Sequence, residues 1–211
     1  MLSQGSESDG GFLFAADPAR SSLEQPIFWA PEVLPTIVPI VGGEGDVPAA
    51  GLSLSFLSAG EIRHATDGWH VHLRVRDCEH RLWLRHPPAI GVSYAAELPF
   101  DHDFEIRAHA ARRLWRALRG RTPGPAFHEL SAQRRRRLAL ALRALDARSD
   151  GSSYRTIAAA LFGAKNIPER AWKTHDLRNR TIRLVQTGAA LMRGGYRQLL
   201  QQGRRGKRNA E

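Results

Sequence analysis

Hydrophobic and polar residues follow two rhythms along the chain, a period of two in the first half and a period of about 3.6 in the second. Three hydrophobic runs in the first half predict strands: Leu52–Leu57, Trp69–Val75 and Arg81–Arg85. The middle run alternates, so one face of its strand should be dry, while the other carries two histidines and an arginine. Asp67-Gly68 before this run is typical of a tight type I′ turn. The pattern predicts a small antiparallel sheet with one dry face.

Flanking residues set the limits of this β-rich part. Four prolines between residues 26 and 39 exclude a continuous helix and favour short extended pieces. The first residues are rich in glycine, serine and acids and are expected to be loosely ordered, although Phe12 and Phe14 can dock on the body of the protein. We therefore predict a flexible segment at residues 1–25 and a β-rich module at residues 26–100.

Helical spacing takes over in the second half. Asp101 or Asp103 is expected to cap a first helix. Its predicted buried stripe consists of Phe104, Ala108, Ala111, Trp115 and Leu118. Ser131 is expected to cap a second helix that runs to about Ala147. The predicted inward residues of that helix are Leu138, Leu142 and Leu145. The arginine run at residues 134–137 must point partly outward, because buried arginine without a partner is costly, and it is expected either to contact phosphates or to be solvated.

The end of the chain predicts a trihelical unit. Ser152 or Ser153 caps a short helix. Pro168 opens a second short helix, and Gly194-Gly195 stops a longer third helix. An apolar stripe along the third helix consists of Leu177, Thr181, Leu184, Val185, Gly188, Leu191 and Met192.

The opposite face of the third helix is polar and basic. Compact trihelical units place their last helix in the major groove of DNA, where arginine suits guanine, and asparagine or glutamine suits adenine. The predicted base contacts are Arg178, Asn179, Arg183 and Gln186. The predicted phosphate contacts are Arg155, Lys165, Lys173, Arg180 and Arg193. The alternative interpretation is an ordinary helical subdomain whose arginines form a solvated face.

Charge is segregated between the two halves of the chain. Its 31 basic and 21 acidic residues give a net charge of +10. Residues 1–106 contain 6 basic and 15 acidic residues, a net charge of −9, whereas residues 107–211 contain 25 and 6, a net charge of +19. A half this basic is typical of a protein that binds a polyanion. High-GC coding bias would explain why arginine outnumbers lysine, but not this segregation.

These features predict an α+β protein. A small antiparallel β-rich N-terminal module is followed by an all-helical, helix-turn-helix-like domain at residues 101–200 and a basic, disordered tail at residues 201–211. The single cysteine and the absence of a signal peptide or a long apolar run predict a cytoplasmic protein outside the membrane.

No motif for catalysis, a cofactor or a metal stands out. His70, His72, Cys78 and His80 are capable of binding a metal, but their spacing is unlike that of zinc sites. Walker, Rossmann and nucleophile-elbow motifs are absent from the sequence. We therefore expect a protein that is not an enzyme and needs no cofactor.

The chain resembles a known family. The runs YRTIAAALFG and LRNRTIRLVQTGAALMRGGYRQLL, with a tryptophan between them, are similar to the C-terminal domain of RovC-type and FseA-type transcriptional regulators of proteobacteria. FWAPEVLPTIVPI is similar to the start of that domain, so the resemblance covers about residues 11–200. Its most specific marks are Trp172, Arg178, Arg180, Arg183 and Gly194-Gly195-Tyr196.

This resemblance implies a regulator that binds double-stranded DNA, expected as a homo-oligomer because symmetric DNA sites call for symmetric proteins. Relatives activate type VI secretion genes or the transfer of integrative and conjugative elements, whereas a smaller relative is an antiactivator that binds an activator. A protein-interaction module of that kind is the alternative function. Full-length activators carry a further N-terminal segment, so the chain is expected to match the later part of such a protein.

Overall fold

The computed structural model describes residues 11–17, 19–21, 24–43, 52–127, 129–163, 165, 167 and 172–201. The chain forms two compact units, one of residues 1–128 with 200–211 and one of residues 129–199. A sheet comes first and helices follow, which confirms the predicted α+β class. The domain limits predicted at residues 25, 100 and 200 stay predictions. The short helix predicted from Pro168 and the basic tail lie outside the described residues.

The first unit contains a five-stranded sheet in the order β2-β3-β4-β1-β5. Its strands are β1 Val38–Gly43, β2 Glu61–Ala65, β3 Gly68–Val75, β4 Cys78–Leu84 and β5 Ser93–Ala96. β1 pairs in parallel with β4, with Val38 beside Leu82, so the sheet is mixed rather than wholly antiparallel as predicted. This pairing places the apolar side chains of β1 on the same dry face as those of β4.

Two local predictions in this unit are wrong. The run predicted as a strand at residues 52–57 contains a one-turn helix, α1 Leu54–Ser58, which places Leu57 fully in the core. The type I′ geometry lies between β3 and β4, where Arg76 and Asp77 have φ values of 48° and 61°. Asp67-Gly68 does lie at the hairpin from β2 into β3, as predicted, but Asp67 does not have the positive φ of a type I′ turn.

Both faces of the sheet are covered, whereas the alternation predicted one dry face. On the first face, Leu57 and the helix α2, Phe104–Leu118, pack against the strands. On the second face, the N-terminal segment packs Phe14 and Phe28 edge-on against His70 and His72. The docking predicted for Phe14 is therefore confirmed, and it leaves His70 2% exposed.

The buried stripe of α2 is rotated from the predicted one. Ile106, Leu114 and Ala117 are its buried residues, while Trp115 is 47% exposed. The guanidinium carbons of Arg119 and Arg121 lie 5.7 and 5.5 Å from the Trp115 ring centroid, so arginines rather than the core cover the indole.

His80 makes the stability of this unit depend on pH. Burial, and then the nearby charge of Arg113 on α2, lower the pKa of His80 to about 4. An unfolded histidine has a pKa of about 6.5, so as pH falls the unfolded chain takes up this proton first. The contribution of His80 to stability is thus complete above about pH 6.5 and is lost towards about pH 4.

We expect the urea midpoint to fall across that pH window, and His80→Met to reduce the fall. Tryptophan fluorescence suits this measurement, because four of the five tryptophans lie in the first unit. A variant with the wild-type pH profile would contradict the assignment to His80.

The second unit packs three helices: α3 Ala132–Ser149, α4 Tyr154–Phe162 and α5 Asp176–Ala190. Ser131 and Ser153 cap α3 and α4 through their side chains, as predicted. The core consists of Ala141, Ala144, Ile157, Leu184 and Val185. Leu142, predicted to face inward, is 49% exposed. Small alanines take the inward positions of α3 because α5 approaches it closely.

Gly188 marks that close approach. A Cβ atom at this position would lie 2.7 Å from the Ala141 carbonyl oxygen and 2.9 Å from the Leu145 Cβ atom, both on α3. We expect Gly188→Ala to destabilise the helical unit by about 1–3 kcal/mol through overpacking, partly offset by up to about 1 kcal/mol of better helix propensity. Urea unfolding followed by far-UV circular dichroism measures the effect, and a more stable variant would contradict it.

The third predicted helix is interrupted at its glycines, as predicted, and a short further helix follows. α5 spans Asp176–Ala190, its helical path continues through Leu191 and Met192, and α6, Tyr196–Leu200, lies beyond a kink. Arg193 and Gly194 leave the helical conformation at this kink, and Gly194 adopts a φ of 105°. The predicted apolar stripe is confirmed through Gly188, but Met192, just before the kink, is 71% exposed.

Candidate nucleic-acid interface

The outward face of α5 carries an unbroken row of polar and basic side chains. Asn179, Arg180, Arg183 and Gln186 are exposed, while Thr181, Leu184, Val185 and Gly188 are buried on the opposite side. This division follows from the helical period, because residues three or four apart share a face. The row is therefore held in place by the core beneath it.

Hydrogen bonds fix the first turns of α5. The His175 Nδ1 atom accepts the Leu177 backbone N–H at 3.2 Å, so a histidine caps the helix. The Thr181 hydroxyl is buried and donates to the Leu177 carbonyl oxygen at 2.7 Å. These contacts satisfy polar groups at the end of α5 that carries the row.

Eight of the nine predicted contact residues are exposed, and Arg178 is half-buried. Arg155 lies in the first turn of α4, and Lys173 lies in the 3₁₀ turn Trp172–Thr174 just before α5. Lys165 is exposed between α4 and α5, and Arg193 is exposed at the kink between α5 and α6. The predicted residues are thus accessible, but they come from several segments of the helical part.

An open groove runs beside the row, between the first halves of α3 and α5; we call it the α3–α5 groove. Arg136 and Arg137 of α3 line one bank. Asn179, Arg180 and Arg183 of α5 line the other, so three of the nine predicted residues meet here. The apolar lining consists of Leu140, Leu161, Phe162, Leu177 and Leu184.

Positive charge in the groove is little neutralised. Asp176 is the acid among the described lining residues. Among the described residues of the second unit, one ion pair forms, between Arg135 and Glu129 at 3.3 Å. The four arginines that line the groove, Arg136, Arg137, Arg180 and Arg183, take no part in it. Buried or paired arginines would have favoured a structural role, so their exposure favours an external anion.

Aromatic rings hold two arginines of this unit. The Arg180 Cζ atom lies 4.5 Å from the centroid of the Phe162 ring, at the end of α4. The Arg148 Cζ atom lies 4.9 Å from the Tyr154 ring centroid, outside the groove. Stacking of this kind limits the rotamers of a long side chain before any ligand arrives.

The sequence prediction identified the α3 bank of the groove only in part. The arginine run at residues 134–137 was expected to contact phosphates or to be solvated, but Gln133, Arg136 and Arg137 were not among the nine predicted contact residues. The signal was present in the arginine run at residues 134–137, which the pattern already required to point partly outward. What the pattern did not contain was which arginines of the run would face α5.

The histidines of the sheet do not assemble a metal site. Among the residues that the structure describes, no cluster of three metal-binding side chains occurs. Burial lowers the pKa of His72, as does the neighbouring Arg81. In the described ranges, no helix is long and apolar enough to span a bilayer.

The helical part of the chain matches a known protein family. A family described as "T6SS, Transcription factor, DNA binding domain" matches residues 97–201. The match starts just before α2 and ends after α6, so it includes α5 and both banks of the α3–α5 groove. A comparison with curated proteins finds no match.

Proposed function

Because residues 97–201 belong to the RovC-type family of transcription-factor DNA-binding domains, we propose that the protein is a sequence-specific regulator that reads DNA through α5. The observation that carries the proposal is the exposed row on α5, where Asn179, Arg183 and Gln186 point away from a packed core. Such side chains form paired hydrogen bonds with guanine or adenine in the major groove.

The nine predicted contact residues have two roles, reading the base sequence and holding the phosphate backbone. Arg178, Asn179, Arg183 and Gln186 are proposed to approach base edges. Arg155, Lys165, Lys173, Arg180 and Arg193 are proposed to hold phosphates, which fix the position of a protein on the duplex without reading its sequence. Half-buried Arg178 is the base contact with least freedom to reach outward.

The genes under control are proposed from the family. Regulation of a type VI secretion locus follows the family's description. Activation of mobile-element transfer genes follows the resemblance of the α4 and α5 sequences to FseA-type activators. A homo-oligomer is proposed because palindromic sites require a symmetric protein.

Selection of bound fragments from random double-stranded DNA tests this function. Purified protein is expected to enrich a short motif at about 100 mM salt, with affinity at least about 1000-fold above that for unrelated DNA. Equal enrichment of all sequences, or no enrichment, would contradict sequence-specific regulation.

One observation favours a second candidate, an antiactivator-type module that binds a regulator protein without binding DNA. The α3–α5 groove has an apolar floor that includes Leu140 and Leu161, and apolar contacts are typical of protein interfaces. The salt dependence of binding distinguishes the two candidates, because affinity for DNA falls steeply with added salt, whereas affinity for a partner protein through an apolar interface changes little.

A further inference from the structure

We propose that the α3–α5 groove seats the sugar-phosphate backbone of one DNA strand, with Arg136 and Arg137 as phosphate ligands and Phe162 as the residue that positions Arg180. This inference rests on the proposed DNA binding. It adds α3 and an aromatic ring to an interface whose other proposed contacts lie on α4, on α5 and in the segments beside α5.

The position of Arg180 on α5 points to a backbone contact. The major groove is about 12 Å wide, so a helix within it is flanked by both phosphate backbones. Asn179 and Arg183 lie near the centre of the outward face, and Arg180 is turned from Asn179 by about 100° towards the α3–α5 groove. A strand on that flank would pass along the groove.

The opposite bank supplies matching charge. Arg136 and Arg137 are exposed in the first half of α3 and line the groove opposite Arg180. Among the described residues neither forms an ion pair, and Asp176 is the acid that lines the groove with them. Two adjacent guanidinium groups facing a third suit a chain of phosphates, since each can bind a phosphate in a bidentate manner.

Phe162 determines how Arg180 is presented. The Arg180 Cζ atom lies over the Phe162 ring, 4.5 Å from its centroid. The guanidinium edge carries the N–H donors, and stacking on its face leaves that edge free for a phosphate. A side chain already held in one orientation loses less entropy on binding.

The first test compares two double variants of α3 in full-length protein. Arg136→Ala/Arg137→Ala removes the proposed ligands, and Arg143→Ala/Arg148→Ala removes two exposed arginines outside the groove. We expect the first variant to bind all sequences more weakly. We also expect its slope of log affinity against log salt to be less negative by about 1.8, for two lost phosphate contacts at about 0.9 each. The control is expected to keep the wild-type slope.

The second test isolates the positioning role of Phe162. Phe162→Leu keeps the charge, so it is expected to weaken binding by about 2–5-fold, the loss of one cation–π contact, with an unchanged salt slope. Phe162→Tyr is expected to restore binding. In an Arg180→Ala background Phe162→Leu is expected to have no further effect, whereas a merely structural role would cost the same in both backgrounds.

Different results would overturn the proposed DNA-binding function and the proposed phosphate contacts in the α3–α5 groove. Wild-type protein that fails to bind DNA would overturn the proposed function. Wild-type binding that is weakened by Arg183→Ala but unchanged in Arg136→Ala/Arg137→Ala would overturn the groove inference alone.

Discussion

Raising the salt concentration from about 50 to about 200 mM is expected to weaken binding to the selected DNA by about 500-fold, because five proposed phosphate contacts give a slope of about −4.5. Each cation that neutralises a phosphate releases a condensed counterion, and added salt opposes that release. If Arg136 and Arg137 also bind phosphates, the slope becomes about −6.3 and the loss about 6000-fold.

Fluorescence anisotropy with labelled duplex at a series of salt concentrations measures this slope. Lys173→Ala provides the internal check. The loss of one phosphate contact is expected to make the slope less negative by about 0.9 on every sequence tested. Affinity for the duplex that barely changes with salt would contradict a phosphate-based interface.

The helical unit was largely predictable because its signals are local. The period of α5 placed Thr181, Leu184 and Val185 inward and Arg183 outward, and the structure has the same division. The serine cap of α4 could also be predicted from the sequence, because a cap depends on a few consecutive residues. The basic row of the candidate interface could therefore be found from the sequence.

The sheet was less predictable because pairing is not local. The parallel pairing of β1 with β4 joins residues more than forty positions apart, and alternation within a strand does not name its neighbour. The aromatic layer that buries His70 likewise comes from the distant N-terminal segment. The alternation within β3 therefore predicted a solvent-exposed histidine face, because it carries no information about the N-terminal segment that covers this face.

The errors on helices have one common cause. Trp115 and Leu142 were placed inward because they are apolar, yet both are about half exposed. Arginines cover the indole of Trp115, and alanines occupy the inward positions of α3. At Leu142 the close contact between α3 and α5 limits the size of the inward residues, and hydrophobicity alone does not contain that information. The groove beside α5 was missed for the same reason, since it depends on how two helices pack.

Arg183→Ala is expected to cost about 1–3 kcal/mol of affinity for the selected motif and to relax preference at one base pair. Arg183 is exposed near the centre of the outward face and lines the α3–α5 groove, so its guanidinium is free to pair with a guanine edge. Its carbonyl oxygen accepts the Thr187 hydroxyl at 2.7 Å, a backbone contact that alanine keeps. The helix is therefore expected to remain folded in the variant.

The matched comparison is Lys173→Ala, which removes a cation from the turn before α5 rather than from its outward face. Anisotropy titrations of both variants, on the motif and on versions with one base pair changed, separate the two roles. Arg183→Ala is expected to reduce the ratio of specific to non-specific affinity, because a base contact carries sequence information. Lys173→Ala is expected to lower both affinities by the same factor and leave the ratio unchanged. If Arg183→Ala also left the ratio unchanged, Arg183 would hold a phosphate, and base reading would have to come from Asn179 and Gln186 on the same face of α5.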